Sequence, residues 1–181
     1  MNIRRASADD YSGIARVHVD NWLNTYKEIF PAEVLNTWTY ETREVRWKKS
    51  LPKALSGGTM TFVAEEKGTI LAFALAGTMR DARLRMRYTG EIYGVFVHPE
   101  HQGRGLGRKL FEACAEHLLS FDHARAALWT LENNPDRDFF ETVGGKKVYD
   151  APAEIGGHSY TKVAYGWDDL EKFQKHQLKL N

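Results

Sequence analysis

Hydrophobic positions along the chain alternate between two periods. Tyr11, Ile14, Ala15, Trp22 and Tyr26 recur at roughly helical spacing and predict a helix. It opens at Ser7-Ala8-Asp9-Asp10, a capping-box pattern in which the Ser7 hydroxyl can accept from the Asp10 amide, and Phe30-Pro31 breaks it. Residues 3–5 read as a short opening strand. A second helical region, in one or two pieces, covers 31–51, with Leu35, Trp38, Val45 and Trp47 as its apolar side. Gly57-Gly58 then switches the pattern. Residues 59–65 and 70–78 read as strands joined at Lys67-Gly68 by a hairpin. Residues 91–97, rich in β-branched and aromatic side chains, read as the next strand.

Leu106, Leu110, Cys114, Leu118 and Phe121 recur at or near i+4 and mark an amphipathic helix. Residues 126–131 form the next strand. Asn134 is a good N-cap and Pro135 suits a first helical position, so a short helix is expected from there to Gly144-Gly145. Two last strands, 146–149 and 159–167, flank a turn at Gly156-Gly157, and 168–180 reads as a terminal helix. The order describes a mixed α/β or α+β sheet domain. With 181 residues and no repeat or linker, 1–181 is expected to be a single domain.

Charge and composition exclude several classes. Lys and Arg number 25 against 24 Asp and Glu, so the net charge of +1 supports neither nucleic-acid binding nor a polybasic membrane anchor. The longest strictly apolar run, 70–76, is far short of the roughly 18 residues of a membrane helix. No apolar stretch follows the basic pair Arg4-Arg5, so the start is not a signal peptide. Cys114, the one cysteine, excludes an internal disulfide and fits a reducing, cytoplasmic setting.

The segment from Val97 to Lys109 holds the most chemistry. It joins a strand end to a helix start, where unpaired amides and the positive dipole end favour an anion. Gly103, Gly105 and Gly107 remove side chains that would keep a phosphate away, while Arg104, Arg108 and Lys109 add positive charge. A Walker loop is excluded, because Lys109 precedes Leu110 and no glycine has the spacing. A dinucleotide G-x-G-x-x-G fails as well, since Arg108 stands where the third glycine belongs. A glycine-softened helix entry with no ligand is the bland alternative.

Gln102-Gly103-Arg104-Gly105-Leu106-Gly107 resembles the Q/R-x-x-G-x-G/A signature of the GNAT superfamily of N-acetyltransferases. The preceding His98-Pro99 is in that family's style. A second match follows one strand later, Leu131-Glu132-Asn133-Asn134-Pro135 with Phe139-Phe140-Glu141 and Gly144. The opening Ile3-Arg4-Arg5-Ala6 and the Trp22 to Tyr26 region also look like many bacterial members. The resemblance implies a mixed, mostly antiparallel central sheet of about 6–7 strands with helices on both faces and a splayed acetyl-CoA cleft. It implies that the pyrophosphate of acetyl-CoA lies on the amides of Gln102, Gly103, Arg104, Gly105, Leu106, Gly107 and Arg108. By the same resemblance, the pantetheine arm pairs with backbone near Phe96 and Val97, and Asn134 contacts that arm.

An amine of pKa ≈ 10.4 is neutral in only about one molecule in a few thousand at pH 7, so a base is useful. Glu91 and Tyr93 share one strand face and are the catalytic candidates, and Glu91 matches a family position that often supplies the base; a solvated Glu and a core Tyr are the bland readings. Phe140 departs from the family, many of whose members carry Tyr there to protonate the CoA thiolate. A thiol pKa near 8.5 makes the thiolate a tolerable leaving group, so the loss is modest.

His98 and His101 flank the loop with no third ligand in view, so no metal is expected. Cys114 reads as core filler. Arg80, Arg83, Arg85 and Arg87 read as a solvated loop or as a contact to an acidic acceptor or partner. Trp22 and Tyr26 read as core or as the substrate-binding wall that similar enzymes build from their first helices. The expected activity is transfer of acetyl from acetyl-CoA to a primary amine of a small molecule or peptide by direct attack. The alternative, motivated by Phe140, is a non-catalytic acyl-CoA-binding module with a degenerate active site. Homodimers are common in the family, and no residue of the chain demonstrates one.

Overall fold

The computed structural model describes residues 1–171, in which β1 (Asn2–Arg5) leads through a 3-10 turn into α1 (Tyr11–Tyr26), α2 (Ala32–Leu35) and α3 (Tyr40–Ser56). The hairpin β2 (Met60–Glu66) and β3 (Thr69–Thr78) follows, then β4 (Gly90–Val97), α4 (Leu106–Leu119) and β5 (Ala126–Leu131). The described chain closes with α5 (Asp138–Thr142), β6 (Lys146–Ile155) and β7 (His158–Trp167). Lys67 and Gly68 both take positive φ, 50° and 80°, the geometry of a tight two-residue hairpin.

The hydrogen-bonded strand order is β1-β2-β3-β4-β5-β7-β6. β1 on β2, β5 on β7 and β6 on β7 are antiparallel, and β4 on β5 is parallel. This is the mixed, mostly antiparallel open sheet that the sequence implied. The β4–β5 pairing is confined to Gly90–Ala126 and Glu91–Ala127, so the two strands part from Ile92 onward.

Two compact units are distinguished. The first joins Met1–Leu75 with Val95–Phe111, and the second joins Ala76–Gly94 with the chain from Glu112 onward. In the first, Ala6, Ile14, Val17, Leu51, Val63, Ile70 and Phe73 form a buried cluster, with Tyr11, Trp47 and Phe96 packed against it. Trp47 and Leu51 meet it together because they stand four apart on α3. In the second, Met79, Leu84, Tyr88, Ala127 and Ala164 form the buried cluster. On α4, Leu106, Leu110, Cys114 and Leu118 are all buried, as their spacing predicted.

Several local expectations are corrected. Val45 is 70% exposed; six positions before Leu51, it lies about 120° round the helix from the buried face. Phe121 is also exposed, because α4 ends at Leu119. α5 starts at Asp138 rather than beside Asn134, whose side-chain Oδ1 accepts from the Asp136 N–H at 2.8 Å. That local turn competes with the helix for the same backbone. β6 runs on through Pro152 to Ile155. It lies at the end of the strand order, and an edge strand tolerates a missing N–H. Most of the helix expected over 168–180 lies outside the described residues.

Candidate functional site

The glycine segment sits where strand-to-helix geometry puts it. At the end of β4, the His98 N–H donates to Leu71 O at 2.9 Å and Asn21 Nδ2 donates to Val97 O at 3.0 Å. These bonds tie the strand end to β3 and α1. A 3-10 turn over Pro99–His101 follows. Gly103 and Gly105 then take φ of +72° and +75°, where a side chain is strained. The Lys109 N–H donates to Gly105 O; the Leu106 and Gly107 amides lie in the first helical turn, too early for an acceptor four positions back in the helix. Gln102 through Gly105 are exposed, while the Leu106 side chain is buried and anchors the helix start. Leu106 therefore offers its amide, not its side chain.

Arg104 is already engaged, since its Nη2 lies 3.2 Å from Glu66 Oε1 and its Nη1 lies 3.2 Å from His101 Nδ1. The turn also brings Glu100 beside the two histidines. His98, Glu100 and His101 offer ligand atoms within 4.8 Å of one another. Spacing alone had left the histidines without that third group. Both ring nitrogens of His98 are committed, Nε2 to Asp20 Oδ2 at 3.1 Å and Nδ1 to the Glu100 N–H at 3.3 Å.

The predicted acceptor residues belong to an aromatic stack in the first unit. Trp22 is 8% exposed, lying between Phe30 at 5.0 Å and Trp38 at 4.0 Å, the two indole planes only 6° apart. Tyr26 packs against Trp22 and Phe30. Trp38 is less buried, and its ring carries the Arg43 guanidinium at 3.7 Å. His18 meets Trp38 edge-on at 5.0 Å and tilts against Phe96 at 4.6 Å. Burial, and then the charges of Arg43 and Arg46, push the His18 imidazole down to about 3. Neither His18 nor Arg43 stands out in the sequence; each is one polar residue on a helix whose apolar positions are read first.

In the second unit, Glu91 is buried rather than solvated. Its Oε2 accepts from the Arg80 N–H at 2.9 Å and from Arg80 Nε at 3.2 Å, and its Oε1 accepts from Arg80 Nη2 at 2.8 Å. The same guanidinium lies 3.7 Å over the Tyr93 ring, and the Tyr93 hydroxyl donates to Thr78 O at 2.8 Å. Gly77 makes room for that phenol; a Cβ there would come within 2.7 Å of it. Arg80, Arg83 and Arg87 are ion-paired to Glu91, Asp81 and Asp168, so the basic loop is neutralised from within the unit. Arg83 beside Asp81 holds that carboxyl down at about 2.

Asn134 Nδ2 donates to Thr130 Oγ1 at 2.8 Å. Phe140 is buried, its ring 5.4 Å from Phe139 and 5.8 Å from Tyr165. Cys114 is a free, fully buried thiol, and burial pushes its pKa up. The candidate residues thus divide by unit. Trp22, Tyr26, Phe96, Val97 and 102–108 lie in the first, and Glu91, Tyr93, Asn134 and Phe140 in the second.

A model of the acetyltransferase (GNAT) family covers residues 19–144. The uncharacterized N-acetyltransferase YuaI of Bacillus subtilis is 36% identical over 171 residues, 94% of this chain and 94% of its own. The L-methionine sulfoximine/L-methionine sulfone acetyltransferase of Salmonella typhimurium is 32% identical over 127 residues, 66% of this chain and 68% of its own. A solved structure of yncA from Salmonella typhimurium with acetyl-CoA superposes with a TM-score of 0.68 at 23% identity, covering 94% of both chains. The paia N-acetyltransferase of Thermoplasma acidophilum, solved with coenzyme A, gives a TM-score of 0.71 at 16% identity over 92% of this chain and 98% of that one. With a family model over most of its length and a near full-length relative at 36% identity, the chain belongs to the GNAT family of acetyltransferases.

Proposed function

We propose that the protein moves an acetyl group from acetyl-CoA to a primary amine of a small molecule or peptide, by direct attack. The observation that carries this reading is the strand–loop–helix at 97–108. Two glycines at positive φ leave an exposed, side-chain-poor backbone in front of the helix-start amides of Leu106 and Gly107. Such amides hold pyrophosphate oxygens without any cationic side chain having to move. Acetyl-CoA, when bound, supplies the thioester carbonyl that an amine attacks. Phe96 and Val97 line the arm's path with backbone. The Val97 carbonyl is already taken by Asn21.

Glu91 is the proton acceptor in this reading. Three donors from Arg80 occupy three of the about four lone-pair sites of the carboxylate. The remaining site, on Oε1, accepts the amine proton directly or through water. Arg80 fixes the carboxylate and Tyr93 walls it. The buried Cys114 thiol, with its raised pKa, is a poor nucleophile and disfavours a covalent enzyme intermediate. No proton donor is required at Phe140, because the thiolate leaves readily. Relatives named an L-amino acid N-acyltransferase and an L-methionine sulfoximine/L-methionine sulfone acetyltransferase favour small amines over large partners.

The test is turnover of acetyl-CoA against a panel of small amines and peptides, read by free thiol release and product mass. Acetyl-CoA binding without transfer to any amine would favour the non-catalytic reading that Phe140 suggests.

A further inference from the structure

Arg43 differs from its neighbours in the fold. Arg4, Arg80, Arg83, Arg87 and Arg104 each pair with a carboxylate. Among the described residues, no carboxylate lies within ion-pair distance of Arg43 or of Arg46, one turn further along α3. The Arg43 guanidinium carbon instead lies 3.7 Å from the centre of the Trp38 ring, at the end of the Phe30–Trp22–Trp38 stack. Its Nε is buried with no hydrogen-bond partner. Burial, and then Arg46, lower the Arg43 pKa from its usual value. A partly buried guanidinium with one N–H unpaired and no carboxylate beside it gains from a bound anion.

His18 adds a directed donor beside it. The Trp47 Nε1–H donates to His18 Nδ1 at 3.1 Å. In a neutral imidazole this places the proton on Nε2. The ring packs edge-on to Trp38 and tilts against Phe96, on the strand to which the proposed function assigns the acetyl donor. A guanidinium held over an indole face can still give two parallel N–H bonds to a carboxylate.

We propose that Arg43 on Trp38, with the Nε2–H of His18, seats the carboxylate of the acetyl acceptor, so that the acceptor is an amine that also carries a carboxylate. This rests on the acetyl-transfer reading. Arg43 binds the anion, Trp38 holds Arg43 in place, and His18 orients the carboxylate on the Phe96 side. Arg46 adds positive potential without direct contact. The acceptor amine is left to face the strand.

The experiment compares glycine, L-leucine, β-alanine and 4-aminobutyrate with their own primary amides as acceptors. For at least one pair, kcat/KM of the parent should favour the carboxylate by about 10- to 100-fold, the worth of a charged hydrogen bond. Arg43→Gln should erase the preference mainly through KM, leave acetyl-CoA affinity by calorimetry unchanged, and keep the melting temperature. Arg43→Lys should restore part of the preference. Equal use of acid and amide by the parent, or a preference that survives in Arg43→Gln, overturns the proposal. A separate titration follows tryptophan fluorescence with N-acetyl-L-leucine and its amide in the absence of acetyl-CoA. Quenching by the acid alone, lost in Arg43→Gln, supports the seat even if acetyl-CoA fails to bind; no difference between the two probes counts against it.

Discussion

Arg80 grips the Glu91 carboxylate from two directions, with its own backbone N–H at 2.9 Å and with its guanidinium at 2.8 Å. Strand β3 ends just before Arg80, so the chain reversal that follows it presents both donors to a residue on β4. The buried carboxylate is thereby oriented and its charge compensated.

Substitution Glu91→Gln keeps the shape and removes the proton acceptor. It should lower kcat by about 10²–10⁴ if this carboxylate is the principal base. The acidic limb of the pH–rate profile should change, with acetyl-CoA affinity by calorimetry unaltered. An unchanged profile would assign the proton to another group.

Arg80→Gln leaves the backbone N–H on Glu91 but removes the guanidinium. Stability should fall by about 1–3 kcal/mol, the worth of hydrogen bonds to a buried charge, read as a lower urea midpoint at constant m-value. The Tyr93 ring loses its stacked cation at the same time, so kcat should fall with it.

His18 couples folding to pH. Its imidazole sits at about 3 in the folded chain, below the ordinary ≈ 6.5 of the unfolded one. The unfolded state therefore binds the extra proton first. Stability is full above about pH 6.5 and falls as pH drops towards 3, at up to about 1.4 kcal/mol per unit. Urea midpoints at pH 7, 5.5 and 4.5 should show this slope, and the His18 ring resonances should not titrate across the same range. A ring that titrates near 6.5 contradicts the assignment.

Phe140→Tyr tests the missing acid. The ring lies buried between Phe139 and Tyr165, so an added hydroxyl lacks an assured partner and should cost about 1–3 kcal/mol of stability. Because the thiolate leaves without help, kcat should barely move. A rise above about tenfold would show that proton delivery limits the native enzyme.

Local signals made much of the fold legible before any coordinates. Lys67-Gly68 marked a hairpin, and the i+4 recurrence of Leu106, Leu110 and Cys114 marked the buried face of α4. The glycine-rich turn from β4 to α4 was readable for the same reason, since its signals lie in consecutive residues. Features set by distant partners were not readable. Trp47 reaches His18 across 29 positions, and Lys162 and Arg83 converge on Asp81 from separate strands and turns. The burial of Glu91 was not readable, because nothing in the sequence shows Arg80 folding back over it. Asn134 misled for a different reason: the side chain that makes a good N-cap also makes a local turn.

The central claim is that the backbone at 102–108 holds the pyrophosphate of acetyl-CoA. Calorimetric titration of acetyl-CoA into the parent and into folded Gly105→Glu tests it most directly. The variant sets a carboxylate against the bound phosphates and strains a position at φ of +75°. The parent should bind and the folded variant should bind at least tenfold more weakly, about 1.4 kcal/mol; equal affinities would contradict the assignment of the loop.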